Sequence, residues 1–223
     1  KWISDDKKID ILSSNNENFK LKYGENPHQK ASLYLNKKNK YPNFDKLYGK
    51  EISYNNINDI ISAISCLNDL PNTGVVVLKH TNPCGVACHN NISVALKKAL
   101  KCDIKSSYGG IVALNKNINS KIIKNFKHIF LDIIIAPNFT KDALNTLKKK
   151  NVIILKLKKQ KKFKTFKEIK SIPGGYLKQD FNNIILNKKI LKCVTRLKSN
   201  KKYLDDMVFA FIVAKHVKSN AIV

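Results

Sequence analysis

The chain has 223 residues, 43% of them hydrophobic, which suffices for one large α/β domain or two small ones with a real core. Its formal net charge is +26, from 42 basic and 16 acidic residues, a balance that raises nucleic acid as a partner. Arg196 is the only arginine, however, and arginine supplies the planar fork that reads bases and phosphates. The charge therefore reads mainly as a solvated lysine surface, and specific nucleic-acid binding is the lesser reading.

Residues 1–19 are polar and rich in Asn and Ser, as in a tail, a linker or the end of a preceding domain. No apolar leader segment follows Lys1-Trp2-Ile3. Residues 21–29 (Leu-Lys-Tyr-Gly-Glu-Asn-Pro-His-Gln) crowd Lys22, Tyr23, Glu25, His28 and Gln29 around a turn at Gly24 and Asn26-Pro27. By composition this is equally an ordinary loop. Residues 31–35 read as a strand. Residues 49–58 are a polar turn region in which Asn55-Asn56 would cap a helix running to Leu70. Ile57, Ile60, Ile61, Ile64 and Leu67 give that helix its apolar stripe.

Gly74 then opens a short run of Val75, Val76, Val77 and Leu78, which predicts a strand buried on both faces. Polarity changes abruptly at Lys79-His80, and Asn82-Pro83 and Gly85 predict a turn straight afterwards. A cation and an imidazole thus stand side by side where a buried strand leaves the sheet. Ligands bind at such places in open α/β sheets, although a surface Lys-His pair has the same pattern. Cys84, Cys88 and His89 lack the paired spacing of a metal site and read as small buried thiols. With Cys66, Cys102 and Cys193 they make an odd, irregular set of five, expected to be reduced thiols of a soluble cytoplasmic protein.

Residues 92–101 predict a helix. Residues 106–110 (Ser-Ser-Tyr-Gly-Gly) form a small-residue turn into a buried strand at 111–114. Gly109-Gly110 serves either a tight turn or close approach of backbone to a ligand. A helix over 120–126 precedes residues 131–137, where Asp132 interrupts an apolar strand. That carboxylate must find partners or sit at a site, unless it is a strand end in water. A helix at 141–149 and a strand at 152–157 follow. Residues 158–170 read as a solvated lysine-rich connection anchored by Phe163 and Phe166. Residues 174–177 and 190–195 read as strands, 203–218 as a well-buried helix, and 219–223 as the start of another strand. The apolar stretch within 207–214 is too short to span a bilayer. The alternation of strand and helix predicts an α/β domain with a mostly parallel or mixed sheet.

Six blocks, in order, resemble one family. Residues 21–29 resemble the opening motif of the AICAR formyltransferase domain of the bifunctional purine biosynthesis enzymes, and residues 77–85 (Val-Leu-Lys-His-Thr-Asn-Pro-Cys-Gly) resemble its Lys-His loop. Residues 106–115, 134–137, 174–175 and 217–223 follow in the family's order. The resemblance covers residue 21 to the end. It implies a cytidine-deaminase-like three-layer α/β/α fold, present as the first half plus the start of the second. Residues 1–20 would be a linker or the tail of a preceding cyclohydrolase domain, and residues 21–223 a C-terminally incomplete formyltransferase domain.

The resemblance implies transfer of a formyl group from 10-formyltetrahydrofolate to the amine of the ribonucleotide AICAR, on the way to IMP, in a homodimer and without membrane. By that resemblance His80 is the proton acceptor, and Lys79 stabilises the transition state or helps the folate nitrogen leave. Lys22, Tyr23, Gly109, Asp132 and Asn220 would bind the nucleotide, Lys22 and Tyr23 near its phosphate. No metal is implied. Lys22 stands where the family usually has arginine, which keeps the charge and loses the bidentate fork. Tyr108 stands where phenylalanine is common. The rival readings are a basic nucleic-acid-binding module and an inactive, decayed fragment.

Overall fold

The computed structural model describes residues 16–36, 43–126, 129–158, 167–186 and 188–223. In chain order its elements begin with β1 (Asn16–Lys20), β2 (Ser32–Asn36), β3 (Phe44–Tyr48), α1 (Tyr54–Asp69), β4 (Gly74–Lys79) and β5 (Asn82–Cys88). Next come α2 (Ile92–Cys102), α3 (Ile104–Ser107), β6 (Gly110–Leu114), α4 (Ser120–Ile123), β7 (Leu131–Ala136), α5 (Lys141–Lys149) and β8 (Ile153–Leu157). The last are β9 (Lys167–Ile172), β10 (Gly175–Asp180) and α6 (Leu204–Ala214).

Six strands form one mixed sheet in the order β3-β8-β7-β6-β4-β5. Strands β6, β7 and β8 are mutually parallel, whereas β4 runs antiparallel to both β6 and β5. The alternation of side chains along each strand divides the core in two. Val75, Val77, Val112, Ile134 and Ile154 face α2, α4 and α5. Val76, Leu78, Ile111, Ile133, Ile135 and Leu155 face α1 and Ile212 of α6. Helices therefore cover both faces, giving three layers. Val75, Val76, Val77 and Leu78 have no exposed surface at all, as their unbroken apolar run predicts, and each contributes about 1.5–3 kcal/mol by burial.

Several expectations need correction. The cap of α1 is Ser53, whose hydroxyl accepts the Asn56 N–H at 3.1 Å, while Asn56 Oδ1 accepts the Ser53 N–H at 3.1 Å. Asn55 and Asn56 lie inside the first turn, and the reciprocal pair closes a capping box. Asn82-Pro83 is not a turn but the start of β5. Proline is tolerated there because β5 is an edge strand and its pairing shifts register at that point. The shift skips Cys84, so Cys84 leans toward the α2 side of the sheet and Cys88 toward the α1 side. Both are half-buried rather than fully buried; among the five thiols Cys66 alone is buried, and this pushes it up to about 12.

No strand forms at 190–195 or 219–223. Val194 and Ile222 are both 94% exposed, so neither segment buries the apolar side chains that suggested a strand. Residues 167–172 pair with β10 in a separate exposed hairpin rather than forming a solvated connection; Phe163 and Phe166, like residues 1–15 of the expected tail, lie outside the described residues. Helix α6 is shorter than expected, and Ile212 is its one buried residue. A helix apolar on every side cannot bury itself against a single neighbour, and Met207 and Phe211 stay exposed.

Helix α6 is fixed to α1 by charge. Lys215 Nζ and His216 Nε2 each lie 2.8 Å from Asp69 Oδ2, with the three side chains only 10–15% exposed. Burial raises the Asp69 carboxyl, but hydrogen bonds from His216 and Lys215, backed by their charges, carry it below its ordinary value. A depressed carboxyl stabilises the fold above its unfolded value and loses that contribution as pH falls through the folded one. Asp69→Asn is expected to cost roughly 3 kcal/mol at pH 7 in urea melts. The gap between variant and parent should close as the pH falls below about 4.

Candidate functional site

Lys79 and His80 stand at the tip of the β4–β5 hairpin. Lys79 pairs with Asn82, which leaves His80-Thr81 as a two-residue loop. Both have positive φ, 51° and 60°, the pattern of a type I′ turn that favours Asn-Gly. A histidine and a β-branched threonine in that region cost on the order of 1–3 kcal/mol each, a strain found at functional sites. The loop is held accordingly. Thr81 N–H donates to Asp59 Oδ1 at 2.7 Å, and Thr81 Oγ1 donates to the His80 carbonyl at 2.7 Å. Asn82 Nδ2 donates to the same carbonyl at 3.3 Å, and Asn82 Oδ1 accepts the Lys218 N–H at 3.0 Å. Burial raises the Asp59 carboxyl against the opposing pull of the Thr81 N–H, His80 and Lys218.

The carboxyl end of β4 meets the amino ends of β6 and β7 along one edge of the sheet. Lys79 Nζ crosses to the Tyr108 carbonyl at 2.8 Å. Gly109, at φ +70°, donates its N–H to the Phe130 carbonyl at 2.8 Å, and the Tyr108 and Phe130 rings pack at 5.3 Å. A Cβ on Gly109 would meet only the Phe130 ring, at 3.8 Å, so its backbone faces open space. Two residues beyond Phe130, Asp132 is held by both oxygens: Lys50 Nζ at 2.7 Å from one and Asn56 Nδ2 at 3.0 Å from the other. Its interruption of an apolar strand is thus explained by partners. For the parallel strands this is the amino edge, opposite to the carboxyl edge where open sheets usually bind ligands.

The 21–29 loop reaches the same helix. Gly24 N–H closes it on the Gln29 carbonyl at 2.8 Å, and Asn55 Nδ2 ties the Glu25 carbonyl to α1 at 3.1 Å. Lys22 Nζ lies 5.9 Å from the Tyr23 ring centroid, exposed and close enough for a cation–π contact. Asn220 is exposed, two residues past Lys218 and its bond to Asn82.

The fold therefore links Lys79 directly to the residue before Gly109, and Gly109 through Phe130 to the strand that carries Asp132. It links His80 to Asp59 through the turn, and Lys22 and Tyr23 to α1 through the Glu25 carbonyl. A cavity of about 310 Å³ lined by Asp69, Ile184, Leu186, Phe211, Ile212 and Lys215 holds none of the seven. It lies near the other end of α1, about 15 Å from Asp59 along the helix. Lys50 and Asp59 went unread in the sequence, where Asn56 reads only as a cap. The signal for Asn56 and Asp59 was a polar set at positions 55, 56 and 59 of an otherwise apolar-striped helix. Among the described residues no cluster of three or more His, Cys, Asp or Glu could hold a metal, and no helix is long and apolar enough to cross a membrane.

Chemically the edge offers an exposed imidazole on a constrained turn, a lysine beside it, a bare glycine backbone and an oriented carboxylate. Such a set can accept a proton, stabilise an oxyanion and hold hydroxyl or phosphate groups. Comparison with known proteins agrees with the motif order. The family model described as AICARFT/IMPCHase bienzyme matches residues 2–223. The bifunctional purine biosynthesis protein PurH of Caldicellulosiruptor bescii is 46% identical over 209 residues, which is 91% of this chain and 40% of that protein. PurH of Thermoanaerobacter sp. is 45% identical, with the same shares covered. PurH of Clostridium botulinum (strain Loch Maree) is 42% identical over 216 residues, 96% of this chain and 42% of its own length. The chain thus spans about two fifths of the curated relatives it matches.

Proposed function

The chain belongs to the AICARFT/IMPCHase bienzyme family, and from that premise we propose that it transfers the formyl group of 10-formyltetrahydrofolate to the amine of AICAR. The product is formyl-AICAR, which the complete protein would close to IMP. Residues 21–223 are read as part of the formyltransferase domain, the three-layer sheet as its first cytidine-deaminase-like half, and residues 1–20 as a linker or tail. The homodimer, the cytoplasmic setting and the absence of membrane or specific nucleic-acid partners rest on the resemblance.

The observation that carries the reading is the strained His80-Thr81 turn next to Lys79. The AICAR amine is a weak nucleophile, because its lone pair is delocalised into an imidazole bearing a carboxamide. Attack on the formyl carbon needs a base to take the amine proton, and an imidazole suits that work near neutral pH. His80 is that base in this reading. The formyl oxygen gains negative charge as the carbon becomes tetrahedral, and the Lys79 ammonium stabilises it; collapse then breaks the bond to the folate nitrogen, which takes up the proton removed from the amine and leaves as tetrahydrofolate. The Tyr108 carbonyl takes one of the three N–H donors of the Lys79 ammonium and orients it, which leaves the others for the substrate. Lys22 and Tyr23 would take the phosphate, the Gly109 backbone would approach the nucleotide, and Asp132 and Asn220 would supply polar contacts.

The test is AICAR ribonucleotide binding by calorimetry beside a formyl-transfer assay that follows tetrahydrofolate. Asp132→Asn keeps the size of the side chain and removes the charge. It is expected to weaken AICAR binding about 10–100-fold, the worth of a hydrogen bond to a charged group. An unstabilised, non-binding parent chain at millimolar AICAR would overturn the reading.

A further inference from the structure

Helix α1 ties together three separate parts of the edge through one side of its first half. Asn55 donates to the Glu25 carbonyl, Asn56 to Asp132, and Asp59 accepts from Thr81. Positions 55, 56 and 59 fall together because residues three and four apart share a helix face. The Asn56 amide is used at both ends, its oxygen in the capping box and its nitrogen on Asp132. The reaction chemistry assigns no step to Asp59, yet Asp59 touches the backbone of the turn that presents the base.

We propose that Asp59 is a positioning residue for His80: its carboxylate holds the His80-Thr81 turn in the left-handed conformation and so directs the imidazole toward the reacting amine. The inference rests on the formyl-transfer reading of this site. Two left-handed residues that are not glycine need support from outside the loop. The Thr81 Oγ1 and Asn82 Nδ2 bonds are internal to the hairpin and move with it. Among the described residues, the flanking pair Lys79 and Asn82 is tied to the Tyr108 carbonyl and the Lys218 N–H, and the Asp59 carboxylate reaches a left-handed residue of the turn directly, at the Thr81 N–H. Asp59 comes from a rigid 16-residue helix whose buried face packs against the same strand, β4, that delivers His80. The helix therefore gives the turn a reference fixed to the core. The titratable groups that face the carboxylate, His80 and Lys218, belong to the turn and to the segment bound to Asn82.

Two substitutions separate this role from a merely structural one. Asp59→Ala removes the acceptor, whereas Asp59→Asn keeps an oxygen within reach of the Thr81 N–H and removes the charge. In the ligand-free chain, Asp59→Ala is expected to speed exchange of the Thr81 amide proton at least about 10-fold and to shift the His80 ring signals in NMR spectra. In the formyl-transfer assay kcat should fall roughly 100-fold, the cost of a misplaced group, with the KM for AICAR changed less than about threefold. Asp59→Asn should restore the Thr81 protection and bring kcat to within about 10-fold of the parent. Unchanged Thr81 exchange in Asp59→Ala overturns the proposal. So does an effect confined to KM, or equal loss in both variants. If the parent chain transfers no formyl group, the proposed activity of this chain fails, and the Thr81 exchange and His80 signals alone decide whether Asp59 holds the turn.

Discussion

His80→Ala is expected to slow formyl transfer by 10²–10⁴-fold, the usual contribution of a positioned general base, and to leave AICAR affinity within about fivefold. The asymmetry follows from where His80 sits. It is exposed at the tip of a hairpin, whereas the nucleotide contacts are assigned to Lys22, Tyr23, Gly109, Asp132 and Asn220. Alanine keeps a Cβ at that left-handed position, as histidine has, and leaves the Asp59 tie to the Thr81 N–H untouched. Single-turnover release of tetrahydrofolate at saturating AICAR separates the chemical step from binding. A variant that turns over at the parental rate would remove His80 from the mechanism. The catalytic contribution would then have to be sought at Lys79, whose ammonium is oriented by the Tyr108 carbonyl.

How far the sequence reveals this site depends on the range of the force that shapes each part. The Val75–Leu78 strand was legible because burial on both faces leaves a local mark, an unbroken apolar run. Helices α2 and α5 were legible for the same reason, since their stripes and caps lie within a dozen residues. The turn was not. Asn82-Pro83 carries the local turn signal, but the chain reverses one step earlier, at two residues with no propensity for it. What holds them is a carboxylate more than 20 residues back in the chain, so tertiary contact overrides local preference. Asp132 was legible as a question, an acid in an apolar strand, and its answer lay on α1 and at Lys50. The apolar run in α6 misled because hydrophobic composition states a demand for burial and not its fulfilment. Residues 190–195 misled in the same way, as β-branched residues form a strand only beside an edge that accepts them.

Gly85→Ala should be the most damaging single methyl group in the chain's described core. A Cβ at Gly85 would stand 1.9 Å from the Ala99 carbonyl oxygen and 2.9 Å from its carbon, both backbone atoms of α2. No flexible side-chain end can swing aside there, so strand β5 or helix α2 must shift as a body. Overpacking of this kind costs about 3–4 kcal/mol, a large part of the 5–15 kcal/mol that typically separates folded from unfolded chains. Urea unfolding should show a midpoint lowered by that free energy divided by the slope, with the slope itself unchanged. Gly175→Ala is the control, because nothing lies within 4 Å of its added methyl, and it should change stability by less than about 0.5 kcal/mol. The damage at Gly85 should also reach the turn. Strand β5 carries Asn82, which binds the His80 carbonyl and receives the Lys218 amide. Pushing β5 off α2 moves those contacts relative to α1 and Asp59, so AICAR-dependent turnover should fall further than the unfolded fraction accounts for. Loss in strict proportion to unfolding would mean that the edge strand only supports the fold and does not help to aim His80.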